Sequence, residues 1–180
     1  MNNFPKPTKK GLEELKNQTK DKFTKLMINQ LTSWTGSSKI DEFHEKLAYE
    51  TILNLIEKEK MREEVKNYKP KKIENNIFDL RVTKRSGKKR DISVKWNDTF
   101  EDLSYSIQRE FGLESGHLYE FNMGKLKIGP ECDDWQEIFD VLDNLKTGHV
   151  ISFMKLKKQD SFKFLYDFGE NIGFRIQIRT

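Results

Sequence analysis

The chain has 180 residues, 35% hydrophobic and 34% charged, with 33 Lys/Arg against 29 Asp/Glu for a net charge of +4. Thirteen Phe, five Tyr and three Trp supply large apolar side chains, which excludes a disordered chain. No apolar run approaches the roughly 20 residues of a membrane helix, and a lone Cys132 excludes an internal disulfide.

No apolar segment follows the basic start MNNFPKPTKK, so it does not read as a signal peptide. A cytoplasmic protein without membrane attachment is expected. The charge is uneven: residues 1–72 hold 16 Lys/Arg and 11 Asp/Glu, whereas the remainder holds 17 and 18. The basic excess therefore lies in the N-terminal part, a bias compatible with nucleic acid.

Residues 1–9, with Pro5 and Pro7, read as a flexible tail. Residues 10–68 read as a helical hairpin. Leu12, Leu15, Phe23, Leu26, Met27 and Leu31 fall on helical spacing in its first arm. Ile40, Phe43, Leu47, Ile52, Leu55 and Ile56 do so in the second, with Ser38 as its expected N-cap. Pro70 ends the second arm, because the residue before proline avoids the helical region. Two helices alone bury little area. They dock on the rest of the chain, or they form a protein-partner or self-association surface. Residues 69–76 read as a linker.

From Ile77 the period changes to two. Phe78, Leu80 and Val82 alternate, as do Ile92, Val94 and Trp96, about a turn at Gly87. A helix follows, with Thr99 as cap, Asp102 at the box position, a stripe of Phe100, Leu103, Ile107 and Phe111, and Gly112 as stop. HLYEFNM and KLKIG read as short strands about Gly124. DDWQEIFDVL reads as a short helix capped by Asp134. GHVISFMKL, apolar on both faces, reads as a central strand.

The terminal stretch SFKFLYDFGENIGFRIQI contains Asp167-Phe168-Gly169, the letters with which a protein kinase holds its metal. Context removes that reading, since no glycine-rich loop, strand lysine or His-Arg-Asp loop accompanies them. Phe162, Phe164, Tyr166 and Phe168 lie two apart, as do Phe174, Ile176 and Ile178. The stretch reads as a hairpin with one buried face, with Gly169 and Gly173 taking positive φ at the loop corners. The expected fold is thus α+β: a β-grasp-like (ubiquitin-like) mixed sheet with an added C-terminal β-hairpin, preceded by an N-terminal helical hairpin.

Two blocks, DTFEDLSYSIQREFGLESGHLYEFNMGKLKIG and FLYDFGENIGFRIQI, resemble the plasmid Ri open-reading-frame-three-like family over about residues 77–178. Its members are small bacterial and archaeal proteins of unclear role, some labelled transposon passengers or resolvase-like. His117, Leu118, Tyr119, Glu120 and Phe121 match the family's His-Leu-His-Glu-Phe-like strand, with Tyr119 in place of the second His. Tyr166, Asp167, Phe168, Gly169 and Glu170 match its aromatic-Asp-Phe-Gly-acid turn. The chain departs at Ile172 and Phe174, where the family tends to carry Trp and His, and at KKRDI, where only Arg90 matches a Pro-Trp-Arg-Arg-like run. The resemblance implies the fold and a mobile-element accessory role. The resolvase label finds no serine nucleophile set among arginines.

Three constellations could carry chemistry. His117, Glu120, Asp167 and Glu170 would form a polar, metal or ligand cluster if their strands are neighbours; otherwise they are solvated strand-end and turn residues. Glu131, Cys132, Asp133 and Asp134 read better as a helix cap than as a cation loop. Lys84, Arg85, Lys88, Lys89 and Arg90 gather at a hairpin tip, where they could reach phosphates or simply blunt a sheet edge. No cofactor or metal is expected. The leading expectation is a non-enzymatic interaction module. Nucleic-acid binding through the basic tip is the alternative, and a metal or ligand-binding enzyme stands behind both.

Overall fold

The computed structural model describes residues 7–37, 39–70, 77–124, 126–130, 141–142 and 144–180. The chain divides into two compact units, Met1–Glu63 and Glu64–Thr180.

The first unit departs from a two-helix hairpin. Its helices are α1 (Lys9–Gln18), α2 (Lys22–Trp34) and most of α3 (Glu42–Asn67). The single arm expected from Gly11 to Leu31 is broken at Thr19–Asp21, because Asp21 starts a new helix by accepting from Thr24 N at 2.6 Å. Glu59 of α3 seals the break: its carboxylate accepts from Thr19 Oγ1 and from Lys20 N. Helix α1 is capped by Thr8, inside the stretch read as tail. Ser38 lies outside the described residues. Asp41 caps α3 instead, accepting from His44 N at 3.0 Å, and this hydrogen bond holds the Asp41 carboxyl below its ordinary range.

The buried set is narrower than the expected stripes. Leu12, Ile28, Leu31, Ile52 and Ile56 form the core of this unit. Phe23, Leu26, Phe43 and Leu47, all on the expected buried stripes, are exposed.

The second unit is built on a sheet of seven strands in the order β2-β1-β7-β6-β3-β4-β5. The strands are β1 (Ile77–Lys84), β2 (Lys89–Lys95), β3 (Tyr119–Asn122), β4 (Lys127–Gly129), β5 (Val141–Leu142), β6 (Ser161–Tyr166) and β7 (Ile172–Ile178). All neighbours are antiparallel except β4 and β5, so the sheet is mixed as expected.

Two features differ from the β-grasp expectation. The C-terminal hairpin is not an addition at the edge. It supplies the two central strands, β7 beside β1 and β6 beside β3. With that slot filled, the segment expected as the central strand is instead helix α5 (Thr147–Phe153). Its buried residues, Thr147, Gly148, Val150 and Ile151, fall on helical spacing. Its first amides are satisfied by carbonyls of the turn that follows β2: Thr147 N donates to Asp98 O and Gly148 N to Trp96 O. The helix expected in DDWQEIFDVL, with Asp134, lies outside the described residues.

Helix α4 (Phe100–Phe111) matches its sequence signals closely. Thr99 accepts from Asp102 N, Asp102 accepts from Thr99 N, and Gly112 closes the helix at φ 64°. Its stripe of Phe100, Leu103, Ile107 and Phe111 is buried. The contact with the sheet is a chain of rings. Phe100 meets Phe121 at 5.1 Å, Phe121 meets Phe164 at 4.6 Å, Phe164 meets Phe174 at 5.6 Å and Phe174 meets Phe111 at 4.9 Å.

The expected alternation is thus seen, with Phe162, Phe164, Tyr166, Phe174, Ile176 and Ile178 buried. Phe168 falls in the turn and is half-buried. The positive φ expected of Gly169 and Gly173 belongs instead to Asp167 (52°) and Asn171 (55°). Short polar side chains enter the left-handed region at lower cost than most, since they bond locally. Asp167 does so, accepting from Gly169 N and Glu170 N. Among the described residues, no helix is long and apolar enough to cross a membrane.

Candidate functional site

Because strand side chains alternate, the residues between the buried ones point to the second face of the sheet. On β2, β1, β7 and β6 that face is open. Lys89, Asp91, Ser93, Lys95, Ser161, Lys163 and Arg175 are exposed, and Arg81 and Thr83 are half-buried. Toward β3 and β4 it closes, for Glu120 is only 8% exposed.

The basic tip is divided by this alternation. Lys89 pairs with Thr83 and points to the open face. Arg90 pairs with the inward Val82, and Lys84 with the inward Phe174, so both lean toward the helix side. Lys88 follows them: its Nζ lies 5.7 Å above the Phe111 ring at the end of α4. Arg85 is exposed in the turn, its N donating to Gly173 O at 2.9 Å. The five cations of Lys84–Arg90 are therefore not one surface.

Strand register instead joins Lys89 to residues that the sequence reading did not single out. Thr83 pairs with both Lys89 and Arg175, and Arg175 pairs with Lys163. These four side chains form a transverse row over β2, β1, β7 and β6. Arg175 Nε donates to the neutral Ser161 Oγ at 3.1 Å. The neighbouring row is neutralised: Arg81 donates to both oxygens of Asp91 at 2.8 and 2.9 Å. That hydrogen bond, more than the Coulombic attraction beside it, holds the Asp91 carboxyl below its ordinary range and raises Arg81. Ser93 donates to Asp79 at 2.7 Å.

The polar cluster is also divided. His117 Nδ1 lies 3.3 Å from Asp167 Oδ2, and its ring meets Tyr166 edge-on. Glu120 faces away from Tyr119 and Phe121, where Lys127 donates to it at 3.0 Å. Glu170 is exposed in the turn. Beneath His117, the buried Tyr166 hydroxyl meets the Glu114 carbonyl and lies 3.3 Å from Gln108 Oε1. Burial pushes the Tyr166 phenol up. Among the described residues, no group of three His, Cys, Asp or Glu stands ready for a metal ion. Glu131, Cys132, Asp133 and Asp134 lie outside the described residues.

Fold and site together define an α+β sheet protein, with helix α4 on one face of the sheet and an open, charged surface on the other. The chain belongs to the plasmid pRiA4b ORF-3-like family, whose model matches residues 77–180. It is also similar to a crystallised protein of unknown function from Methanosarcina mazei Go1, at 27% identity and a TM-score of 0.46, over 58% of this chain and 59% of that one. No curated protein matches the chain.

Proposed function

We propose that this protein is a non-enzymatic interaction module that presents the open face of its sheet to a macromolecular partner. The observation behind this reading is the asymmetry of the sheet: rings and aliphatic side chains on one face, and exposed Lys89, Lys163 and Arg175 on the other. A mobile-element setting, which the family's plasmid name suggests, belongs to the same proposal. Affinity capture from the source cell tests it, with the wild type and a K163E/R175E variant side by side. A partner lost from the variant supports the reading. An identical set of partners for both removes this face from consideration.

A second reading rests on the first unit, where Phe43 and Leu47 are 70% and 51% exposed on successive turns of α3. Such residues suit a protein partner or self-association. Sedimentation of the wild type beside F43S/L47S tests it, and a monomer at every concentration for both would remove self-association.

A further inference from the structure

We propose that the row Lys89–Thr83–Arg175–Lys163 binds the phosphodiester backbone of a double-stranded nucleic acid; this rests on the reading of the open face as the interaction surface. The three cations of the row have no carboxylate in salt-bridge range: Lys89 and Lys163 make no side-chain bond, and Arg175 bonds a neutral hydroxyl. Lys89 and Lys163 stand three strand gaps apart, a span of about 14 Å. One strand of a duplex advances about 3.4 Å per nucleotide along the axis, so the row faces roughly four phosphates. Thr83 adds a hydroxyl between the cations, a common donor to phosphate oxygens.

The choice of a duplex follows from what shares the face. Single strands are held by stacking bases on aromatic side chains. The outward residues of β1, β2, β6 and β7 include no aromatic ring: Ile77 and Leu165 are their apolar members. Every ring of these strands is on the inner face or, as with Phe78, on its margin. The row therefore recognises charge and spacing, not base identity. An acidic protein would satisfy the charges as well. The even spacing of the row, set by strand separation, favours a regular polyanion.

The test is fluorescence anisotropy with 16-base-pair DNA and RNA duplexes of mixed sequence and the matching single strands, using the full chain. Three phosphate contacts give a salt slope near −2.7, so raising salt from 50 to 200 mM should weaken duplex binding about 40-fold. K163E and R175E should each weaken binding several-fold at 50 mM salt and reduce the slope by about 1. K163Q should act in the same direction. R109E, which reverses an exposed charge on α4, should change neither. A preference for the DNA or the RNA duplex identifies which helix form fits the row.

No binding at 20 mM salt, binding indifferent to K163E, K163Q and R175E, or tighter binding of single strands would each overturn the proposal. If duplexes fail while a captured protein is lost from K163E/R175E, the open-face reading stands and the nucleic acid falls. If that capture is also unchanged, both fall.

Discussion

His149 of α5 sets its Nε2 2.7 Å from the carbonyl oxygen of Val65, in the last turn of α3. Beside it, Tyr68 packs edge-on against His149 and Phe153, with its hydroxyl 3.2 Å from Ser152 Oγ. Val65 itself is fully buried. The structural unit that contains the family match therefore starts at Glu64, thirteen residues before the match does.

A fragment of residues 64–180 should accordingly be more stable than one of residues 77–180. Burying Val65 is worth about 1.5–3 kcal/mol and the bond to His149 roughly 1 kcal/mol, so a difference on the order of 2–4 kcal/mol is expected. Urea unfolding of the two fragments checks this, and equal midpoints would contradict it.

Gly148 leaves no room for a side chain, because an added Cβ would stand 2.4 Å from Trp96 Cδ2. Gly148→Ala must displace the indole or α5, at a cost of about 1–3 kcal/mol. Tm should fall, with a shift in tryptophan emission. Gly173→Ala is the control: open space surrounds that position and its φ is not positive, so its Tm should hold within about 2 °C.

The hairpin turn depends on two left-handed residues. Asp167→Ala loses the bonds to Gly169 N and Glu170 N and the contact with His117 while keeping a Cβ in the left-handed region, for roughly 1–3 kcal/mol. Asp167→Gly loses the bonds alone and should cost less. Asn171→Gly should be neutral or stabilising, whereas Asn171→Ala should cost about 1 kcal/mol. Chemical denaturation ranks the four, and Asp167→Gly being worse than Asp167→Ala would contradict the turn geometry.

Tyr166 makes stability sensitive to alkaline pH. Its phenol is raised in the folded chain, chiefly by burial. The contribution is therefore complete below the ordinary tyrosine pKa and is lost as pH rises through the higher folded value. Ultraviolet titration should show a late tyrosine step that accompanies unfolding, and Tyr166→Phe should diminish that step.

Much of this architecture was legible because local chemistry decides it. The cap Thr99, the box residue Asp102 and the stop Gly112 each act within one turn of α4, so spacing alone located that helix. Alternation likewise exposed the hairpin of Phe164 and Phe174. What alternation does not contain is strand order: nothing in SFKFLY states that it lies beside YEFN. The short apolar run around Val150 and Ile151 fits a buried strand or a buried helix equally, and the sheet chose once β7 lay beside β1. The candidate site suffered for the same reason. Lys163 and Arg175 appear in sequence as unremarkable outward charges; register, which is long-range, brings them beside Lys89. Conversely, Lys84 to Arg90 look like one patch in sequence and are parted by the pleat.

The most direct test of the open-face account is a map of backbone amide shifts as a 16-base-pair duplex is added to isotope-labelled protein. The account predicts that perturbation concentrates at Thr83, Lys89, Lys163 and Arg175, and fades toward α4. Shifts gathered instead on Lys9, Lys10, Lys16 and Lys25 of the N-terminal helices, with the sheet amides unmoved, would contradict it.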